Sequence, residues 1–311
     1  MVAPMLRPFR FGAVLLAGLA LGASTQGCSM PPKCFSKRPG YTFPTPERVR
    51  PNLSHGEAGR RLYDAVMDGD RERAVSMLRA DPALAALSVQ YDRRGDRPDG
   101  QDGDLLTFAV TNCDDAMLAA LLEAGVPPDG ADRGRALNYA MLADEPTMAE
   151  MLLGAGASPD PQKEGGENLF SNVAADGNLG GAMMLARHGL DQRWVDQFGS
   201  GHLEAAMRME QFAIAEELVK AGAPLWRVSL GGRMPVHALF EPRLIDDPSQ
   251  DAARRRLIGQ AQRSPLSWPP PPPGEVLAKF VSGEWPTAAM QAAGMSASPD
   301  VVAMLREREG R

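Results

Sequence analysis

Four glycines, at positions 125, 156, 189 and 222, stand 31, 33 and 33 residues apart, and each closes an apolar stretch of the same pattern. A second marker runs about sixteen residues ahead of it: Leu62/Ala65, Leu106/Ala109, Leu137/Ala140, Ala174, Leu203/Ala206 and Leu239. Its successive spacings are 44, 31, 34, 32 and 33. Periods of this length are the mark of stacked supersecondary units, each touching only its neighbours. Aromatics make up only 6% of the 311 residues. That composition favours helices packed by small and flexible side chains over a β-sandwich.

Each unit can be read physically. Four and three residues before the glycines stand Leu121/Leu122, Leu152/Leu153, Leu185/Ala186 and Leu218/Val219. One turn earlier come Met117/Leu118, Met148/Ala149, Gly181/Ala182 and Ile214/Ala215. This is an amphipathic helix with one buried stripe. The glycine supplies the left-handed residue that ends it. A turn rich in Pro, Asp and Gly follows, as in Val126-Pro127-Pro128-Asp129-Gly130, and then a shorter alanine-rich helix. No single pair buries its own stripe, so the units must stack.

These motifs resemble the ankyrin-repeat family. Gly232-Arg233-Met234-Pro235-Val236-His237 matches its turn-and-helix start, and Ala174-Ala175-Asp176-Gly177-Asn178 its mid-repeat turn. Leu152-Leu153-Gly154-Ala155-Gly156-Ala157 matches its second-helix end, and Ala65-Val66-Met67-Asp68-Gly69-Asp70 opens the series. The resemblance implies an all-α solenoid of about six to seven helix-turn-helix units with hairpin-like loops, spanning residues 54–240. Most units lack the family's Thr-Pro-Leu-His cluster.

The first residues stand apart from the fold. Arg7 and Arg10 precede an uncharged apolar run from Phe11 to Ala23. Its length suits a signal-peptide core and is too short to span a bilayer as a helix. Gly27-Cys28 after such a core resembles the lipobox of bacterial lipoproteins, although Thr25 and Gln26 depart from its usual residues. The resemblance implies cleavage after residue 27 and lipidation of Cys28. With Ser29 rather than aspartate next, it implies an outer-membrane lipoprotein facing the periplasm, the alternative being a soluble periplasmic protein. Residues 28–53 read as a Pro-rich tether.

Two stretches interrupt the period. Asp92 to Asp104 lengthens the first spacing, but its acidic residues lack the order of a calcium loop. Residues 241–285 read as a Pro-rich insert with a helix over Gln250 to Gln262 and the run Trp268 to Pro273. Residues 286–311 read as a degenerate C-terminal repeat that caps the stack.

No catalytic residue, metal site or cofactor is implied. His55, His188, His202 and His237 fall in different units, and no phosphate loop, dinucleotide fingerprint or nucleophile elbow is present. The net charge of −6 argues against nucleic acid, and nothing implies a small-molecule substrate. Cys34 and Cys113 remain to pair, once Cys28 is lipidated, in an oxidising compartment. What is left is a non-enzymatic module that binds a periplasmic or envelope protein; the alternative is an immunity protein that neutralises an effector delivered into the periplasm. Arg193, Trp194, Phe198, Trp226 and Arg227 are the candidate contact residues, because two loops carry these large aromatics beside arginines. The alternative for the aromatics is that they fold back as packing.

Overall fold

A computed structural model describes residues 45–90, 101–161, 168–242, 247–297, 301–303 and 306–307. The signal-like segment, Cys28, Cys34 and the tether as far as residue 44 lie outside the described residues.

Helix α1 (Pro46–Val49) leads into the first long pair, α2 (Gly56–Met67) and α3 (Arg71–Ala80). A hairpin of β1 (Ser88–Gln90) and β2 (Gln101–Asp104) follows, which accounts for the long first spacing. Then come α4 (Leu105–Thr111) with α5 (Asp115–Glu123), and α6 (Arg135–Leu142) with α7 (Pro146–Gly154). The next pairs are α8 (Leu169–Ala175) with α9 (Leu179–Arg187), and α10 (His202–Arg208) with α11 (Phe212–Lys220). Strand β3 (Arg227–Val228) precedes a 3-10 helix, Pro235–Leu239, and α12 (Pro248–Gln262). The chain continues through α13 (Pro273–Val281), α14 (Ala288–Ala292) and β4 (Ser296–Ala297).

The first helices α2, α4, α6, α8 and α10 stack in one row that ends on the 3-10 helix. The second helices form a parallel row, in which α5 packs on α3 and α7, and α11 on α9 and α12. The repeating Leu and Ala of the sequence lie between the rows: Leu62, Leu106, Leu137, Leu203 and the alanines 65, 109, 140, 174 and 206 are each at most 1% exposed. Burying one such leucine contributes about 1.5–3 kcal/mol, and alanine lets the two rows approach closely.

The helix ends explain the register. Val126, Ala157, Leu190 and Ala223 each donate a backbone N–H to the carbonyl five residues back, around the four left-handed glycines. The same closure ends the first helices at Asp70, Asp114, Glu145, Asn178 and Gln211. There the preceding left-handed residue is Gly69, Cys113, Asp144, Gly177 or Glu210. Asp70, Asp114 and Asn178 then cap the following helix through their side chains.

The C-terminal quarter differs from the sequence reading. Helix α12 packs on α11 and on the 3-10 helix, so it takes the place of a second helix rather than lying in an insert. Beyond it the chain turns back across the loops between units. His237 Nδ1 accepts the Met234 N–H, and its Nε2 donates to the Pro271 carbonyl at 2.9 Å, which ties down the proline run. Helix α13 lies against Gly232, where any Cβ would meet the Pro273 oxygen at 2.0 Å. Strand β4 pairs in parallel with β3 instead of extending the stack. The reason is physical: α12 already covers the last layer, whereas β3 has a free backbone edge.

Candidate functional site

The loops that join one second helix to the next first helix project from the stack as fingers. The finger before α10 is built on Asp196, whose Oδ1 accepts the N–H groups of Phe198 and Ser200 at 2.8 and 2.9 Å. Its tip is Phe198, 58% exposed, and Arg193 is exposed beside it. The Phe198 carbonyl accepts the Leu230 N–H of the next finger at 3.0 Å, which ties the two fingers together.

The five candidate residues therefore separate. Phe198 and Arg193 face solvent. Trp194 is half-buried and stacks on His202, with ring centroids 5.0 Å apart. Trp226 and Arg227 are buried, 5% and 4% exposed, which corrects their reading as contact residues on an open finger. The returning chain runs along them, with the Ser296 N–H donated to the Trp226 carbonyl and β4 paired with β3, and the Arg227 side chain turns inward to Glu204.

Arg227 instead organises the finger from within. Its Nη2 donates to Glu204 Oε2 at 3.0 Å, and its Nη1 reaches the carbonyls of Gln192, Arg193 and Trp194 at 3.3–3.5 Å. The Gly201 N–H donates to the same Glu204 oxygen at 2.9 Å. A Cβ on Gly201 would lie 2.7 Å from the Trp194 carbonyl oxygen and 2.1 Å from Arg227 Nη2, and the close approach of that backbone oxygen requires glycine. Behind the pair, His202 is 3% exposed and lies between Trp194 and Phe170, with Nε2 3.5 Å from Asp160 Oδ2. Sequence reasoning missed this buried polar cluster; Gly201 directly before a first helix was its only local sign.

Acidic residues of the other fingers serve as caps and ties. Asp104 accepts Thr107 N–H and Oγ1–H through Oδ1, and the Asp132 N–H through Oδ2. Burial pushes the Asp132 carboxyl above its usual range, although Arg135 and the Gly103 N–H work against that. Among the described residues, no cluster of three or more His, Cys, Asp or Glu is arranged to hold a metal ion. His188 pairs with Glu150 at 2.8 Å on the second-helix side.

Where the first-helix row meets these fingers, a cavity of about 120 Å³ opens between α10 and the 3-10 helix. Helix pairs in a common register, each closed by the same left-handed turn and joined by a projecting finger, decide the architecture. The fold is an ankyrin-repeat solenoid.

No protein-family model and no curated protein sequence matches the chain. Among solved structures, the chain is similar to one in the complex of a Bdellovibrio bacteriovorus predatory endopeptidase with an immunity protein. That match has 18% identity and a TM-score of 0.41, over 66% of this chain and 98% of that one. It is similar also to the ankyrin repeat protein EF0377, at 19% identity and a TM-score of 0.44, over 66% and 98% of the two chains. A third is the ankyrin repeat domain of Bcl-3, of the IkappaB family, at 15% identity and a TM-score of 0.36, over 63% and 97%.

Proposed function

We propose that this protein is an exported, lipid-anchored ankyrin-repeat module that grips another envelope protein with its fifth-unit finger and the adjoining first-helix face. The observation that carries the reading is Phe198, 58% exposed at the tip of a finger held by the Asp196 hydrogen bonds and by Leu230. An exposed ring on a rigid support loses little entropy when a partner immobilises it. Arg193 adds a residue type enriched in binding hot spots. Trp194 supports the finger by packing, and Arg227 fixes it from behind.

Export is supported by the apolar run from Phe11 to Ala23 and by Cys113, which is disulfide-bonded. Disulfides persist in oxidising compartments. Lipidation would consume the Cys28 thiol and leave Cys34 as the remaining cysteine to pair with Cys113.

The test is capture from detergent-solubilised envelope with the full mature protein and with Phe198→Asp. The wild type is expected to retain a defined partner and the variant to lose it while folding normally. Equal capture by both would overturn the reading. An effector enzyme recovered and silenced by the protein would mark the binding as inhibition.

A further inference from the structure

The cavity between α10 and the 3-10 helix has a definite chemical sense, and its role rests on the binding function proposed for the finger. Its floor is apolar: Met207 and Met234, each 2% exposed, with Pro235 and Ala238. Methionine is unbranched and polarisable, so such a floor adapts to the shape of what enters. A dry apolar cavity of about 150 Å³ holds a benzene molecule. One of about 120 Å³ takes a single aliphatic side chain and little more.

The rim is made of donors. Ser200, Ser229, Arg208 and Arg233, whose side chains carry hydroxyl and guanidinium donors, also line the cavity. Arg233 pairs with Glu241 at the surface. The Arg208 side chain is exposed and forms no ion pair or hydrogen bond with any described residue. The one carboxylate in the lining, Glu204, gives its Oε2 to Arg227 and the Gly201 N–H, and its Oε1 is buried. The local surplus is thus of hydrogen-bond donors and positive charge, on a chain whose net charge is −6.

We infer that this cavity receives one aliphatic side chain of the partner protein with a carboxylate directly beside it, held by Arg208 and the two serine hydroxyls. A charge-assisted hydrogen bond from arginine to carboxylate is among the stronger polar contacts. The partner segment would therefore be locally acidic, although the whole chain steers basic surfaces towards itself.

N-acetyl-leucine and N-acetyl-leucinamide are suitable probes, since they differ only in the carboxylate. The full mature protein is labelled at its methionine methyls, and Met207→Leu and Met234→Leu assign the two signals. Titration with N-acetyl-leucine is expected to shift both methyls saturably, with at least fivefold higher affinity than the amide. Arg208→Gln, an exposed change that leaves the core intact, should bring the two affinities within twofold. Ala238→Leu, which fills the cavity, should abolish both shifts. Unmoved methyls, equal affinities in the wild type, or a preference that survives Arg208→Gln would each overturn the inference. If envelope capture still depends on Phe198 while the probes fail, the binding function stands and the cavity assignment alone is lost.

Discussion

Trp194 lies flat against His202, with their planes 18° from parallel and Nε2 of the histidine directed at Asp160. A tryptophan on a loop thus closes a buried polar cluster, and its neighbour four residues on, Phe198, is left at the surface. The two rings of one finger have opposite roles.

Stability should separate them. Trp194→Ala is expected to cost about 2–3 kcal/mol, because it uncovers a packed ring and opens the cluster to water. Phe198→Ala should stay within about 0.5 kcal/mol of the wild type. Urea midpoints of the two variants check this; similar midpoints would show that Trp194 does not pack.

The Glu204–Arg227 pair is expected to behave as a buried unit. Arg227→Met strands a carboxylate that is only 13% exposed and should cost about 3–5 kcal/mol. Adding Glu204→Gln to that variant should recover part of the loss, giving a coupling that a double-mutant cycle resolves. Strict additivity would mean that the two side chains do not stabilise one another.

Helix α12 should loosen in acid. Arg256 holds Glu216 through two 2.7 Å contacts, and this pairing lowers the Glu216 carboxyl below its ordinary value of 4.5. The unfolded chain then binds the proton first as pH falls. The stabilisation is full above the ordinary glutamate range and is lost as pH drops through the depressed folded value. Unfolding of wild type and Glu216→Gln between about pH 6 and pH 3 should therefore show a gap that narrows with acid. A gap independent of pH would contradict the ion pair.

Mass spectrometry of the membrane-extracted protein tests the amino-terminal reading. The mature chain is expected to begin at an acylated Cys28, with Cys34 and Cys113 joined in one peptide pair that separates on reduction. Cys28→Ala should release the protein from membranes. A chain with free Cys113 and an unmodified amino terminus would contradict it.

Much of the fold was legible because its periodic positions carry telling residues. Leu62, Leu106, Leu137 and Leu203, with the alanines three residues on, mark the buried first helices, and the glycines at 125, 156, 189 and 222 end the second helices. The turn that ends each first helix was harder to see. Its left-handed position is filled by Cys113, Asp144 and Glu210 as well as by Gly69 and Gly177, so composition hides a constant backbone geometry. The finger residues were legible only in part. Trp194 and Arg227 stand 33 residues apart at the same place in successive units, yet one stacks on a histidine and the other is sealed in an ion pair. Arg227 reaches back across a whole unit to Glu204 and to the carbonyls of residues 192–194, and β4 pairs with β3 from about seventy residues away, contacts that no local pattern announces.

The most direct test of the central claim is photo-cross-linking in intact cells, with a benzophenone amino acid placed singly at position 198 or at position 183. Met183 is also exposed, at 38%, but sits on α9 in the second-helix row. A discrete partner adduct from position 198 and none from position 183 is the expected result. Adducts from 183 alone, or the same adduct from both, would contradict a binding face built on the fifth-unit finger.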